Sequence, residues 1–536
     1  MSTPPKEHNC PILNIFKDKS EGCGCGCNTA PPSQNPETET AVEPQPPVAD
    51  TVTDDTPSDE QAKQLLADLQ AFDSDPKAFM DRQLVKRTEQ PGETATTLPL
   101  FDKAAIDGKE YVAARDELRT LLEANDTERS SRAAFNSNDL AQNLVDTLSY
   151  TGLQSMQSNN LMQARLSVQP WSDDYWAICR GILGKRYADP GFPNTYDWQQ
   201  CHNYVQTHPA SSVPVNSLSP SEKYDRLVGD NNYTLTKKMW AEGQAIYQSN
   251  GSVAAWMGIC HGWAPAAYML PRPTNAVTVL AADGHTQITF YPSDIKALAS
   301  LLWARVPSAI KFIGGRCNTA NPARDANGRL LDQSAFDTNP GTWHLAIVNQ
   351  IGASKRGMVM DVTYDYEVWN QPVLGYRYRH FNPQSMTYQS SLSAAAVSRA
   401  NYTRDKFSSY HSNQTASIVG IEMYVSYMVE TQPSHSSPDS ASHDAIKEVR
   451  YLYDLELDVS GRIIGGEWRS FAHPDFLWTP VKGGRAQTAF EPGGSWDRNG
   501  AVPSSWKSAA VSASSSNRPA PLAAIVEHLI RFANNG

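Results

Sequence analysis

Apolar positions recur at helical spacing in the first third of the chain and at mixed spacing after it. Leu65, Leu66 and Leu69 with Phe72 form one helical face. Leu118, Leu121 and Leu122 form another, and Leu140, Leu144, Val145 and Leu148 a third. Asn138, just ahead of Asp139 and Leu140, fits an N-cap. Residues 59–164 are therefore read as a helical N-terminal region: a pro-segment, a lid or a structural cap. From 165 to 482 the periods alternate. The stretches 276–280 and 343–348 read as strands, whereas 237–247 and 293–304 read as helices, the pattern of an α+β domain. Residues 483–516 turn polar and rich in Gly and Ser, which predicts a linker. Residues 519–534 predict one amphipathic helix, with Leu522, Ile525, Val526, Leu529 and Ile530 on its apolar face. Residues 1–58, rich in Pro, Thr, Asp and Glu, read as a disordered leader.

Charge narrows the partners. The 536 residues carry a formal net charge of −11 without any long Lys/Arg run, which argues against nucleic acid and anionic membrane surfaces. No stretch of about 18 apolar residues predicts a membrane span. The apolar patch at 12–16 is shorter than the roughly 7–15 residues of a signal-peptide core. The expected location is therefore the cytoplasm, or the exterior by a specialised route. Eight cysteines in a chain this long do not make a disulfide scaffold. Cys179 and Cys201 could pair, but nothing local demands it. Cys23, Cys25 and Cys27 have C-x-C spacing without a nearby histidine, a poor match to a structural zinc site.

Chemistry concentrates at Cys260, in the run Trp256-Met257-Gly258-Ile259-Cys260-His261-Gly262-Trp263-Ala264-Pro265. A thiol at the start of an apolar helix sits near free backbone N–H groups and the positive helix end, which lower its pKa and prepare an oxyanion hole. Most buried cysteines are inert; here Gly258, Gly262 and Ala264 let a substrate approach the sulfur. His261 is a weak base candidate, because adjacent helical residues point in different directions. His344, in Gly341-Thr342-Trp343-His344-Leu345-Ala346-Ile347-Val348, is the better one. Asp361 lies in the apolar run Met358-Val359-Met360-Asp361-Val362, where a carboxylate needs a partner. A turn at Ser354-Lys355-Arg356-Gly357 predicts an antiparallel hairpin that sets His344 beside Asp361. Asp365 and Asn349 are rival orienting groups.

The order Cys, His, Asp resembles the transglutaminase branch of the papain-like superfamily. A second motif sharpens that likeness. Val368-Trp369-Asn370-Gln371-Pro372-Val373-Leu374-Gly375-Tyr376 resembles the elicitor peptide of the oomycete transglutaminase elicitors. Leu374 stands in place of a basic residue there, and Tyr376 in place of a similar aromatic. Pro170-Trp171 with Tyr175-Trp176, Ser219-Pro220-Ser221-Glu222-Lys223-Tyr224, Ile463-Ile464-Gly465-Gly466-Glu467-Trp468 and His473-Pro474-Asp475-Phe476-Leu477-Trp478 are similar too. The resemblance covers about 165–482.

That resemblance implies a papain-like, transglutaminase-like catalytic core and protein-glutamine γ-glutamyltransferase activity. Cys260 would be the nucleophile, His344 the base and Asp361 the orienter, acting on protein glutamines and lysines. Backbone N–H groups near Cys260, with a tryptophan or an amide side chain, would hold the oxyanion. Trp256, Trp263 and Trp343 are candidates to wall a thioester from water. No cofactor is required; calcium activation, common among similar transglutaminases, stays open, although no EF-hand spacing is present. A cysteine peptidase or glutamine deamidase on the same triad, and a non-catalytic elicitor, are the alternative readings.

Overall fold

The computed structural model describes residues 57–80, 139–306, 308–315, 323–329, 331, 338–362, 368–470 and 473–535. The cysteine-bearing leader, the pattern at Leu118, Leu121 and Leu122, Asn138 and Asp365 lie outside these residues.

The strands, in chain order, are β1 (Gln163–Arg165), β2 (Val277–Leu280), β3 (Gln287–Phe290), β4 (Ile310–Gly314), β5 (Val359–Asp361) and β6 (Asn370–Asn382). They continue with β7 (Thr387–Gln389), β8 (Val397–Ser398), β9 (Ser417–Val429), β10 (Ala445–Leu457), β11 (Ile463–Trp468) and β12 (Phe476–Pro480). Among the described residues one sheet runs β11-β10-β9-β6-β5-β12-β4, with β1 and β7 added to β6 and β8 to β9. Its ladders are all antiparallel. β2 and β3 form a separate hairpin, so 276–280 is a strand as the alternation predicts. Helices and an antiparallel sheet together make the α+β architecture.

Helix Thr234–Asn250 covers the predicted 237–247 and ends where Gly251 takes φ +74°. Helix Pro292–Arg305 covers the predicted 293–304. It is buried on every side, and its Asp294 carboxylate accepts the Tyr291 N–H at 2.8 Å to cap the first turn. Lys223 Nζ pairs with the same carboxylate oxygen, Asp294 Oδ2, at 2.6 Å, with both side chains sealed from solvent.

Three expectations fail locally. The run at 343–348 is no strand: Pro340–Ile347 is an α-helix that continues as a π-helix over Val348–Ala353. Asn339 caps it by accepting the Gly341 N–H, and Pro340 stands at its first position, so the local start signals outweigh the strand-like apolar run. Second, 139–164 holds only a 3₁₀ turn at Ala141–Asn143 and a short helix at Leu153–Ser158 before β1. Leu144 and Val145 are buried there without a helix, because their surroundings are core. Third, the Gly/Ser-rich stretch after 482 packs as part of the main core. Trp496 and Trp506 are buried, and helix Trp506–Ser515 precedes helix Ala523–Asn534. The last of these is the predicted amphipathic helix, its Ile525, Val526 and Leu529 fully buried.

Helix Asp59–Ser74 begins with a capping box between Ser58 and Gln61. Its Leu65 and Leu69 pack with Phe381, Met386 and Leu452, and its Phe72 with Phe79 and Phe407, while Asp68 pairs with Arg450 at 2.5 Å.

Candidate active site

Cys260 is the first residue of helix Cys260–Met269, the helix start that the run around it predicts. The turn before it is braced by a neighbouring segment: Ile178 N–H donates to the Met257 carbonyl at 2.8 Å, and Ile259 N–H to the Tyr175 carbonyl at 2.7 Å. Gly262 allows a close crossing with helix Pro292–Arg305. A Cβ there would lie 2.1 Å from the Ser300 carbonyl oxygen and 2.5 Å from Ala304 Cβ.

The first strand residue of the elicitor-like segment meets the sulfur. Asn370 Nδ2 donates to Cys260 Sγ at 3.7 Å, and the Val368 carbonyl oxygen lies 3.8 Å from the thiol. Trp478 Nε1 on β12 donates to Asn370 Oδ1 at 2.7 Å. Asp361 pairs in register with Asn370 across β5 and β6, and its Oδ1 accepts the Trp369 N–H at 2.9 Å. The Trp369 ring packs against Tyr175 with centroids 5.5 Å apart. Gln371 Nε2 donates to Glu430 Oε1 at 2.7 Å.

Burial pushes the Cys260 thiol up to about 11; the Asn370 donors work against this, and the Glu430 and Asp361 charges add to it. The helix start therefore does not lower this thiol, because loss of water outweighs the nearby N–H groups. Burial also raises the Glu430 carboxyl to about 7.

Of the expected triad, the structure brings Cys260 and Asp361 together around Asn370 and leaves His344 elsewhere. With 340–347 helical, no hairpin sets His344 beside Asp361; β5 pairs with β6 and β12 instead. His344 Nδ1 lies 2.8 Å from the Tyr453 hydroxyl, and its ring packs on Tyr378 at 4.6 Å. Tyr378 is eight residues along β6 from Asn370, about 26 Å of extended strand at ~3.3 Å per residue. Burial, then the neighbouring His380, hold the His344 imidazole down to about 3. Asn349 is also distant: its side chain accepts the Ser149 and Tyr150 N–H groups and donates to the Leu345 carbonyl. His261 faces helix Pro292–Arg305, where burial and Arg305 lower it to about 3.

The aromatic walls differ from those expected. Trp343 belongs with His344, stacked edge-on to Tyr451 at 5.6 Å. Trp263 Nε1 donates to the Trp171 carbonyl at 3.0 Å, a core role. Trp369, Trp478 and Tyr175 flank the sulfur's partners instead. Asn370 and Trp478 both stand in the motifs quoted from the sequence, yet nothing in linear spacing shows that a β12 indole reaches a β6 amide. Cys179 and Cys201 are free, buried thiols, raised by burial to about 12 and about 11.

A family model described as Transglutaminase elicitor matches residues 145–498, well over half of the chain. The chain belongs to the transglutaminase elicitor family. Among solved structures, this family member is similar to the crystal structure of the GP42 transglutaminase from Phytophthora sojae. The TM-score is 0.49 at 20% sequence identity, over 75% of this chain and 100% of that one. No curated protein sequence matches the family member. No group of three or more His, Cys, Asp or Glu is gathered as a metal cage among the described residues. No helix among the described residues is long and apolar enough to cross a membrane.

Proposed function

We propose that this chain is a protein-glutamine γ-glutamyltransferase built on a papain-like arrangement, with Cys260 as nucleophile. The observation that carries the reading is the meeting of Cys260, at its helix start, with Asn370 of the elicitor-like strand, inside the region the family model matches. The thiol attacks the side-chain carboxamide of a protein glutamine, ammonia leaves, and a thioester remains. A lysine amine then takes the acyl group and leaves an isopeptide bond. The thiol's proton is released toward the carboxylates whose fields reach it, Glu430 and Asp361. Glu430, raised to about 7, is the better matched to proton transfer near neutral pH. His344 has no part in these steps, since Tyr453 and Tyr378 hold it apart. Trp369, Tyr175 and Trp478 supply apolar cover that favours an amine over water as acceptor.

The test is incubation with a glutamine donor protein and a fluorescent primary amine. Label incorporation that disappears in Cys260→Ala supports transfer. Ammonia release without label indicates a deamidase, and backbone cleavage a peptidase. A protein that does none of these and still elicits a host response is a recognition protein.

A further inference from the structure

Both ends of the Asn370 side-chain amide are spoken for. Nδ2 donates to Cys260 Sγ at 3.7 Å, and Oδ1 accepts from Trp478 Nε1 at 2.7 Å. An asparagine amide has nearly the same shape when flipped, so a partner must choose its orientation. An indole N–H can only donate. Flipping the amide would set its NH₂ against the indole N–H and turn its oxygen toward the sulfur. Trp478 thus selects the orientation that aims an N–H at the nucleophile. Asn370 is 4% exposed and Trp478 8%, so water competes poorly for either group. The frame is stiff as well: Val359 of β5 pairs with Trp478 on one side and with Pro372 on the other.

We propose that Asn370 is the oxyanion donor for acyl transfer at Cys260, and that Trp478 is the positioning residue that keeps its N–H aimed there. This rests on the transferase reading above. As the S–C bond forms, the carbonyl π pair moves onto oxygen, and Asn370 Nδ2 donates to that oxygen. When the C=O bond re-forms, the C–N bond breaks and the nitrogen departs as ammonia, carrying the proton that left the thiol. In the second half the lysine N–C bond forms, the same donor holds the oxygen again, the S–C bond breaks, and a proton from the amine returns to sulfur. A donor of this kind stabilises charge present only in the transition state, so its loss lowers kcat more than it raises KM.

The experiment compares Asn370→Ala, the near-isosteric Asn370→Asp and Trp478→Phe with the parent protein in amine incorporation. Alongside it, mass spectrometry follows iodoacetamide labelling of the Cys260 peptide against pH. Expected is a loss of about 10²–10³ in kcat for both Asn370 variants at little changed KM. Trp478→Phe should lose less, again in kcat. The labelling midpoint of Cys260 should move to higher pH in Asn370→Ala, because the thiolate loses a donor. Parental kcat in folded Asn370→Ala or Asn370→Asp overturns the proposal, as does a rise in KM alone. If Asn370→Ala does not fold, Asn370→Asp and Trp478→Phe decide it. If the parent shows no transfer at all, the functional reading falls; an unmoved labelling midpoint then overturns the Asn370 contact separately.

Discussion

His344 Nδ1 lies 2.8 Å from the Tyr453 hydroxyl, in a pocket closed to solvent and shared with Tyr378 and His380. Burial lowers His344 to about 3 and His380 to about 4, against an ordinary 6.5. The unfolded chain therefore takes up protons below about pH 6.5 that the folded chain refuses until about pH 3–4. Stability from these two groups is complete above pH 6.5 and drains away as pH falls through that window. Buried carboxyls raised to about 7, such as Asp173, Asp225 and Glu467, act in the opposite sense, losing stability as pH rises toward 7. The contribution of His344 is thus best read as a difference. His344→Phe should lose less stability than the parent between pH 6.5 and 4.5, measured by urea midpoints. Amine incorporation per folded molecule should survive the change. An equal drop in stability for the two proteins, or abolished transfer by folded His344→Phe, would contradict this placement.

Reactivity at Cys260 has a different pH signature. A thiol raised to about 11 is mostly protonated at neutral pH. Alkylation of the Cys260 peptide should be slow at pH 7 and climb about tenfold per pH unit well past pH 9, as expected when the thiolate is the nucleophile. A plateau below pH 8 would show an ion pair that the resting structure lacks.

The crossing at Gly262 leaves no room for a side chain. Because an added Cβ would sit 2.1 Å from the Ser300 carbonyl oxygen, Gly262→Ala should separate the two helices. Overpacking of this kind costs about 1–3 kcal/mol. Thermal melting should show it, together with a loss of transfer beyond the loss of folded protein. Parental melting and activity would mean that the helices slide apart freely.

Lys223 and Asp294 form a buried pair at 2.6 Å, and Asp294 also accepts from Tyr187 and caps its helix. Lys223→Met leaves that carboxylate unpaired, which typically costs about 3–5 kcal/mol. Adding Asp294→Asn should recover part of this. Denaturant unfolding of the two single variants and the double measures the coupling; simple additivity would deny it.

The chain after 498 is predicted to be integral to the fold. Trp506 is 1% exposed, with its indole N–H donating to the Gly493 carbonyl at 3.1 Å. Trp506→Ala should cost about 3–5 kcal/mol. If the melting temperature does not fall, the tail is an appendage rather than core.

Much was legible in the residues alone. Helices 234–250 and 292–305 announce themselves by period and by Pro or Gly at their ends. The amphipathic helix Ala523–Asn534 and the small residues around Cys260 are equally local signals. So is the elicitor-like segment, whose residue types at fixed spacing carry the family without any structure. What the residues could not tell is which face meets which. The apolar run around His344 is compatible with strand or helix, and only the core it enters made it a helix packed on Tyr453 and Tyr378. The Gly- and Ser-rich tail looked like a linker because two tryptophans among polar residues have no period; their burial depends on partners elsewhere in the chain. The sulfur's neighbours likewise come from β5, β6 and β12, more than 100 residues away in sequence, as the Asn370 amide at Cys260 shows. Local spacing thus determined that Cys260 opens a helix among small residues. Sheet register, a matter of long-range pairing, decided that Asn370, Asp361 and Trp478 stand with it while His344 does not.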